Sequence, residues 1–487
     1  MKGRTMNDVV VDKILRVIKK NKNKNVYDDG ELTYTYGELD VFSDIIWQYI
    51  DSQKGNSNYI AAIGNNDFYS LCVLTACIKS GYIFVPIDSK NSDERIQNII
   101  DDIKPKVIIR GSKCKEVGNS ILFEDIINRN CISNTLTRKK NKYMYVIYTS
   151  GTTGIPKGVP ISYSNIISFT SWFFHEKFNI YENERILLQA SFSFDLSVMS
   201  WLTVLWLGKT LVAIPTEITT NYKKLRHWFN TVKFDLFIST PSFAYLVYIS
   251  TNFNSYNYPW IKKFIFCGEE FNIKFAQKLI TNFKNSKIFN TYGPTECTVA
   301  IIGTQITESL LKMDKLPIGE KRENIELIVG AENELQIVGD MVFDGYLNRK
   351  EETAKSFIEI NAKKAYKTGD KVRILDNGYI FFDGRNDNQI KKNGYRIELE
   401  EVECIIKKIP EILNVVVLPI KNKANKIVGL SAFIVLEKQV SIDSSELLSK
   451  MQDILPLYMI PNKIHIIDEI PLTNNKKINR KLLELMN

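Results

Sequence analysis

A hydrophobic run that enters a glycine-rich polar loop is the feature that most limits how this chain can fold. Residues 143–149 are mostly aromatic, β-branched or otherwise apolar, which is typical of a buried strand. The run continues directly into residues 150–158, which carry three glycines, several hydroxyl side chains and one lysine. We therefore predict a strand inside a sheet, with a ligand-binding loop at its end.

Similar apolar runs recur through about the first 300 residues and alternate with helical patterns. The other predicted strands are residues 59–63, 185–190, 209–214, 234–239, 263–267 and 287–290. Residues 67–80, ended by Gly81, and residues 273–283 are predicted helices. Because strand–helix alternation favours mostly parallel sheets with helices on their faces, we predict an α/β fold.

The pattern changes near residue 325, where short strands with turn signals indicate a small β-rich piece. The strands of this piece are residues 334–338 and 379–382. A polar break at residues 383–387 precedes a tail with helices at 398–408 and 444–454 and strands at 414–418 and 429–437. We predict a large N-terminal domain, residues 1–386, and a small α+β C-terminal domain, residues 387–487.

Composition excludes several classes of protein. The seven cysteines are odd in number and form no CxxC pair, which excludes a disulfide framework and disfavours a structural zinc site. Only three histidines occur and no two are close in sequence, which disfavours a histidine-rich metal centre or a Ser-His-Asp hydrolase. The net charge of +9 comes without an arginine-rich tract, so we predict no nucleic-acid partner.

The chain also lacks sequence signals for secretion or membrane insertion. Residues 1–24 are rich in lysine and have no apolar core of the kind found in signal peptides. The longest apolar runs, such as residues 201–207, are too short to span a bilayer. We therefore predict a cytoplasmic protein without membrane insertion.

The loop at residues 148–158 has the residue types that bind phosphate. Glycines let backbone N–H groups approach phosphate oxygens, hydroxyls donate hydrogen bonds, and a lysine adds positive charge. The loop is not a Walker A motif, because Lys157 precedes Gly158 where that motif needs Gly-Lys-Ser or Gly-Lys-Thr. A flexible surface turn is the structural alternative, but the companion motifs further along the chain favour a phosphate site.

The loop and its companions resemble, in order, the motifs of the adenylate-forming superfamily, which includes acyl-CoA ligases, luciferases and amino-acid adenylation domains. The companions are residues 79–88, 290–296, 366–370, 384–396, 455–461 and 471–480. The resemblance covers nearly the whole chain. It implies that a carboxylate attacks the α-phosphate of ATP, giving an acyl-adenylate and pyrophosphate, and that a thiol then attacks the adenylate.

The resemblance also implies the nucleotide site. The implied ATP-binding residues are Thr149, Ser150, Gly151, Thr152, Thr153, Gly154, Lys157, Asn290, Thr291, Tyr292, Gly293, Thr295, Asp370 and Arg385. Glu296 is expected to hold Mg²⁺. Asp370 is expected to accept the ribose hydroxyl protons, and Tyr292 to offer a flat face to adenine. Such a protein acts mainly by positioning the phosphates and neutralising their charge.

The catalytic lysine of the superfamily lies in a terminal motif that aligns it with Lys477. This lysine is expected to bridge the substrate carboxylate and the α-phosphate. Lys476 stands where the family has glycine and Asn479 where it has aspartate, so an inactive relative is one alternative.

The family carries the lysine on a mobile C-terminal domain, and Asp387 occupies the hinge position. After rotation, residues 393–396 are expected to approach a pantetheine thiol.

Residues 191–199 resemble the region in which amino-acid-activating members place an aspartate against the substrate ammonium. Asp195 is expected to take that role, because a buried carboxylate needs a cationic partner and an amino acid supplies one. A fatty-acyl ligase is expected to have an apolar residue at this position. The structural alternative for Asp195 is a helix N-cap.

Residues 193–199, 239–243, 266–269 and 290–296 together resemble a narrower group, the D-alanine–carrier protein ligases, which load D-alanine for cell-wall teichoic acids. The resemblance implies that Cys267 crowds the substrate α-carbon and helps to select its hand, and Val299 is expected to line the same pocket. One methylene separates acids by only about 1–3 kcal/mol, so such a wall gives modest selectivity.

We therefore predict activation of a small amino acid, with D-alanine favoured, and transfer to a phosphopantetheine thiol. No carrier module follows Asn487, so the acceptor is expected to be a separate carrier protein. A freestanding adenylation enzyme of nonribosomal peptide biosynthesis, using another small amino acid, is the alternative. An acyl-CoA ligase fits less well, because of Asp195.

Overall fold

The structure, a computed structural model of the chain, forms two compact units. It describes residues 5–129, 136–151, 154–174, 178–219, 221–322, 325–422, 427–438, 440, 442–471 and 478–486. The first unit comprises Met1–Ser89, Ile103–Ile147 and Gly158–Asn386. The second unit comprises Lys90–Asp102, Tyr148–Lys157 and Asp387–Asn487. The division into domains 1–386 and 387–487 stays a prediction.

An eight-stranded sheet is the largest sheet of the first unit. Its strands, in spatial order, are Ile302–Gln305, Lys287–Tyr292, Lys263–Phe266, Leu236–Ser239, Arg185–Leu188, Thr210–Ala213, Asn25–Asp28 and Thr33–Thr35. Neighbours are parallel except at the two edges, where the outermost pairs are antiparallel. Parallel neighbours need crossover connections, and these are the helices Leu196–Leu207, Tyr222–Thr231, Pro241–Ser250 and Ile273–Asn282.

Both faces of this sheet are covered by apolar side chains. Along the strand Arg185–Leu188, Ile186 and Leu188 belong to one hydrophobic cluster and Leu187 belongs to another. Because successive side chains of a strand point to opposite faces, the two clusters lie on opposite sides of the sheet. The predicted α/β fold is confirmed.

A six-stranded sheet contains the strand that leads into the phosphate loop. Its strands, in spatial order, are Ile121–Leu122, Val107–Arg110, Tyr59–Gly64, Ile83–Asp88, Tyr143–Thr149 and Lys157–Ser162. The helix Phe68–Ser80 is capped by Asp67 and ends at Gly81, which has a φ of +78°. A Cβ at Gly81 would lie 2.0 Å from the carbonyl oxygen of Lys139, so glycine is required there.

The predicted β-rich piece is an antiparallel sheet. Its strands, in spatial order, are Gly319–Glu320, Tyr379–Arg385, Lys363–Ile374, Glu334–Val338 and Glu326–Val329, and Phe357–Ile360 also pairs with Lys363–Ile374. The strand Tyr379–Arg385 extends three residues beyond the predicted strand 379–382, and the break at residues 383–387 stays a prediction. The register places Arg385 opposite Asp370, and this pairing extends the strand through a polar sequence.

The second unit has a three-stranded sheet of Ile412–Lys421, Ile427–Leu436 and Lys463–Ile466. A separate hairpin joins Gln389–Lys392 to Tyr395–Glu398. Its turn is Asn393-Gly394, both with positive φ, 52° and 86°, as two-residue hairpin turns require. Helices of this unit are Leu399–Ile406, Ser444–Ile454 and Arg480–Leu485.

Further helices complete the two units. The other α-helices are Met6–Lys20, Tyr36–Ser52, Asp93–Ile103, Phe123–Ile127, Tyr163–Phe173 and Lys350–Ser356. Single 3₁₀ turns are Ile180–Glu182, Thr216–Ile218, Thr295–Cys297, Leu310–Lys312, Ala331–Asn333 and Leu457–Met459. Within the described ranges, no helix is both long enough and apolar enough to cross a membrane.

Candidate functional site

A short turn after the strand Lys287–Tyr292 carries two of the predicted site residues, Thr295 and Glu296. The chain passes through Gly293 and Pro294 and forms the 3₁₀ turn Thr295–Cys297. The turn is closed by a hydrogen bond of 2.9 Å from the Cys297 N–H to the Pro294 carbonyl. All three residues of the turn are buried. It therefore presents two polar side chains inside the first unit.

Asp195 lies next to this turn. Its Oδ2 accepts a hydrogen bond of 2.6 Å from the Thr295 hydroxyl, and both side chains are buried. Asp195 does occupy the N-cap position of the helix Leu196–Leu207, but its backbone is helical and its side chain makes no capping hydrogen bond. The carboxylate therefore does not serve as an N-cap, and its place beside Thr295 fits a binding role.

Glu296 is fully buried and points toward a tyrosine. Its Oε1 accepts a hydrogen bond of 2.6 Å from the Tyr346 hydroxyl, and its backbone carbonyl accepts one of 2.8 Å from the Phe343 N–H. The described residues contain no group of three or more side chains that could hold a metal ion. Mg²⁺ needs no such group, because it usually takes one or two carboxylates, water and substrate phosphates. Glu296 therefore fits a Mg²⁺ site.

Asp370, Tyr292 and Arg385 form a second polar cluster in the first unit. The Tyr292 hydroxyl donates to Asp370 Oδ2 at 2.5 Å, and the Arg385 guanidinium pairs with Asp370 Oδ1. Burial, and then the neighbouring Asp370 carboxylate, raise the pKa of Tyr292 well above its usual value. Tyr292 therefore stays protonated and keeps donating. The ring contact of Tyr292 with adenine stays a prediction.

Asn290 and Thr291 direct their side chains to the protein itself. The Asn290 amide donates to the Pro317 carbonyl, and the Thr291 hydroxyl donates to the Phe266 carbonyl, both at 2.8 Å. These bonds join the strand Lys287–Tyr292 to its surroundings. These two hydrogen bonds hold the end of the strand at which the turn begins. Any contact of Asn290 or Thr291 with nucleotide stays a prediction.

Cys267 and Val299 lie close together in the first unit, and their role as walls of one pocket stays a prediction. The Cys267 thiol lies 3.9 Å from the Val299 carbonyl oxygen, and both residues are buried. Val299 has a φ of +71° and the preceding Thr298 one of +58°. Left-handed backbone is costly for β-branched residues, and such strain is concentrated at functional sites.

The phosphate loop makes its described contacts within the second unit. The Ser150 hydroxyl donates to the Arg396 carbonyl at 3.0 Å, and the Gly151 N–H donates to Glu401 Oε2 at 3.3 Å. A Cβ at Gly151 would lie 2.2 Å from the Ile155 carbonyl oxygen, so the loop folds this tightly only with glycine. The loop also brings Thr149 against the Lys157 carbonyl, with its hydroxyl at 3.5 Å, and Gly154 has a φ of +79°.

Glu401 is a site residue that the sequence did not reveal. It is fully buried and forms an ion pair of 2.5 Å with Arg95, which is also buried. Burial raises the pKa of Glu401, and the Arg95 guanidinium opposes that rise. Arg95 and Glu401 are 306 residues apart, so no local pattern could have indicated the pair. Tyr346 was missed for the same reason.

Three predicted residues, Lys477, Thr152 and Thr153, lie outside the described residues. Asp387, the predicted hinge, accepts a hydrogen bond of 3.2 Å on Oδ1 from the Gln389 N–H. The roles of these four residues stay predictions.

Comparison with known families covers most of the chain. Residues 15–347 match the family described as AMP-binding enzyme, and residues 401–477 match the AMP-binding enzyme C-terminal domain. The chain belongs to the AMP-binding enzyme family. The family assignment agrees with the superfamily resemblance carried by the sequence motifs.

This AMP-binding enzyme has curated relatives of nearly the same length. It is 37% identical over 486 residues to a D-alanine--D-alanyl carrier protein ligase of Streptococcus agalactiae serotype V, with 94% of each chain covered. It is 35% identical over 492 residues to a D-alanine--D-alanyl carrier protein ligase of Lactococcus lactis subsp. lactis, with 97% of this chain and 98% of the relative covered.

The AMP-binding enzyme also shares its fold with a solved adenylation domain. The crystal structure of the Vibrio cholerae adenylation domain AlmE in complex with glycyl-adenosine-5'-phosphate matches with a TM-score of 0.81 at 21% identity. The match covers 100% of this chain and 99% of that chain.

Proposed function

We propose that this AMP-binding enzyme activates D-alanine with ATP to D-alanyl-adenylate and transfers the D-alanyl group to the phosphopantetheine thiol of a separate carrier protein. The carboxylate of Asp195, buried beside Thr295, is the observation that carries the proposal. A buried carboxylate attracts a cation, and an amino acid brings an ammonium where a fatty acid has none. The names of the curated relatives support D-alanine as the amino acid.

The nucleotide lies against the Asp370 cluster in this proposal. Tyr292 and Arg385 hold the two oxygens of Asp370 from different sides, which fixes the carboxylate plane. Each carboxylate oxygen has more than one lone pair, so Asp370 can also accept hydrogen bonds from the ribose hydroxyls. The phosphate loop, Thr149 to Lys157, contributes the donors and the charge for the phosphates.

Glu296 holds Mg²⁺ in this proposal, and the ion, when bound, neutralises phosphate charge. The Tyr346 hydroxyl keeps the Glu296 carboxylate in one orientation. Lys477 neutralises the charge that develops between the substrate carboxylate and the α-phosphate. Asp387 is the hinge about which the C-terminal domain, residues 387–487, moves between the two half-reactions.

We further propose that the reaction takes place in the cytoplasm and supplies D-alanine for cell-wall teichoic acid. In this proposal Cys267 and Val299, which lie 3.9 Å apart from thiol to carbonyl oxygen, form a pocket wall that suits an amino acid with a methyl side chain. A pathway in nonribosomal peptide synthesis would use the same chemistry with another amino acid.

The experiment that tests the proposal is ATP–pyrophosphate exchange with a panel of small amino acids. D-alanine, L-alanine, glycine, L-serine and β-alanine are compared at equal concentrations, with a carboxylic acid plus free coenzyme A as a further arm. We expect D-alanine to give the highest kcat/KM. A clear preference for another amino acid would reject the D-alanine assignment and favour the nonribosomal alternative. Turnover only with free coenzyme A and acids lacking an amine would reject the amino-acid assignment.

The role of Asp195 is tested by Asp195→Ala in the same assay. Removing one member of a desolvated charge pair costs several kcal/mol, so kcat/KM for the amino acid is expected to fall on the order of 100-fold. The KM for ATP is expected to change little. An equal loss in the use of both substrates would show that Asp195 is structural.

A further inference from the structure

Thr295 differs from the other residues predicted to bind ATP, because its hydroxyl is directed at Asp195. The hydroxyl donates to Asp195 Oδ2 at 2.6 Å, and neither side chain is exposed. A threonine hydroxyl has a single proton to donate. While the Thr295 hydroxyl donates this hydrogen bond to the Asp195 carboxylate, it cannot also donate to a phosphate oxygen.

The turn that carries Thr295 holds this hydroxyl in a fixed place. Pro294 precedes it, the Cys297 N–H bonds to the Pro294 carbonyl, and the Thr298 N–H bonds to the Thr295 carbonyl at 3.1 Å. The Phe343 N–H bonds to the Glu296 carbonyl, which fastens the middle of the turn to a neighbouring segment. The donor to Asp195 is therefore part of a closed and anchored turn.

The hydrogen bond from Thr295 constrains the orientation of the Asp195 carboxylate. The last torsion of an aspartate side chain is broad, so packing alone orients the carboxylate plane poorly. The side chain of Asp195 does not cap the helix Leu196–Leu207 that follows it. A hydrogen bond to a carboxylate is charge-assisted and strong, and fixing Oδ2 also fixes the direction in which Oδ1 points.

We infer that Thr295 is a positioning residue for Asp195, and that it belongs to the ammonium-binding part of the site. The inference rests on the proposed function, in which Asp195 receives the substrate ammonium. In the proposed function, neighbouring side chains of one turn then have different roles: Thr295 orients Asp195, which receives the substrate ammonium, and Glu296 holds Mg²⁺. Thr295 and Glu296 are consecutive residues, so one peptide unit joins the two groups.

Three variants test the inference by pyrophosphate exchange. Thr295→Val removes the hydroxyl at nearly constant volume, and Thr295→Ser keeps it. Thr203→Val is the matched control, because Thr203 is also buried and its hydroxyl donates at 2.5 Å to the Met199 carbonyl within the helix that follows Asp195. KM is measured for D-alanine at saturating ATP and for ATP at saturating D-alanine.

Thr295→Val is expected to raise the KM for D-alanine about 10-fold, because one charge-assisted hydrogen bond is lost. The KM for ATP is expected to stay within about 2-fold of its wild-type value. Thr295→Ser is expected to restore most of the affinity, and Thr203→Val to leave both KM values unchanged. A raised KM for ATP with an unchanged KM for D-alanine would overturn the inference. A similar shift in Thr203→Val would overturn it too, because any buried hydroxyl would then have the same effect.

A double-mutant cycle separates this inference from the proposed function. Because Thr295 acts through Asp195, Thr295→Val combined with Asp195→Ala is expected to be no weaker than Asp195→Ala alone. Additive losses would overturn the positioning role and leave the proposed function intact. If Asp195→Ala left amino-acid use unchanged, the proposed function would fail instead.

Discussion

Asp195 and Thr295 are separated by 100 residues in the sequence, and their side chains meet at 2.6 Å inside the first unit. Cys267 and Val299, 32 residues apart, meet in the same way at the end of the strand Lys263–Phe266. The sequence motifs single out these residues but do not show which of them are in contact. A small buried cysteine in particular is usually only a hydrophobic filler. Their chemistry depends on what the fold places beside them.

Cys267 gives a prediction at this scale. Cys267→Ala is expected to enlarge the pocket beside Val299 and to raise kcat/KM for L-alanine relative to D-alanine about 10-fold, since removing one group from a pocket wall changes discrimination by about 1–3 kcal/mol. The ratio is measured by pyrophosphate exchange with each enantiomer. Cys72→Ala, at a buried cysteine on the helix Phe68–Ser80, is the control and should leave the ratio unchanged. An unchanged ratio in Cys267→Ala would mean that the cysteine does not select the hand.

Secondary-structure elements were the most predictable level. The strands Tyr143–Thr149 and Glu334–Val338 and the helix Ser444–Ile454 have the predicted ends. Their apolar periodicity changes sharply at each boundary. The strand Arg185–Leu188 is shorter than the predicted 185–190, because its pairing with the strand Thr210–Ala213 ends at Leu188. Register with neighbours, and not composition, sets such ends.

Contacts between elements were much less predictable, as the ion pairs of the helix Asp93–Ile103 illustrate. Arg95 pairs with Glu401 in a buried position, whereas Glu94 pairs with Lys408 in an exposed one. The two pairs are adjacent on the helix and similar in composition. Burial alone distinguishes how much the loss of one partner from each pair would change the stability of the protein.

Arg95→Met is therefore expected to destabilise the protein by about 3–5 kcal/mol, because it leaves the Glu401 carboxylate buried without its guanidinium. Lys408→Met, which breaks the exposed pair, is the control and is expected to cost less than about 1 kcal/mol. The free energy of unfolding is measured in urea, with Tm as a second readout. Equal small losses in both variants would show that Glu401 is neutralised without Arg95.

At the scale of the whole molecule, the proposed function assigns the two half-reactions to a terminal lysine and a hinge. The predicted division of labour assigns Lys477 to adenylation and residues 393–396 to the thiol step. Asn393 and Gly394 form a tight two-residue turn in the second unit, which gives this stretch a defined shape. Lys477 was assigned from its register in the terminal motif.

Lys477→Ala is expected to abolish pyrophosphate exchange and to spare transfer from preformed D-alanyl-adenylate to the carrier thiol, because the proposed function uses this lysine only in the first step. Adenylation is measured by exchange and transfer by thioester formation on the carrier. Lys476→Ala is the matched control and is expected to retain exchange. If Lys476→Ala is the damaging change, the register of the terminal motif is wrong.

Local sequence determines the fold class of this protein and indicates its type of chemistry. The alternation of apolar runs and helical patterns determines the α/β class, because each short segment must bury one face. Glycines, hydroxyls and a lysine in one loop indicate a phosphate site, and the resemblance of the ordered motifs to the adenylate-forming superfamily indicates the chemistry. These conclusions need no knowledge of which segments are neighbours.

The orientation of the site groups required the three-dimensional structure. The bonds of Thr295 to Asp195, of Tyr346 to Glu296 and of Arg95 to Glu401 join residues 100, 50 and 306 positions apart. A side chain has several rotamers and partners within reach, and its direction is set by the packing of elements brought together from distant parts of the chain. Sequence motifs therefore name Asp195 and Glu296, whereas tertiary packing sets where these carboxylates point and brings in Glu401 as well.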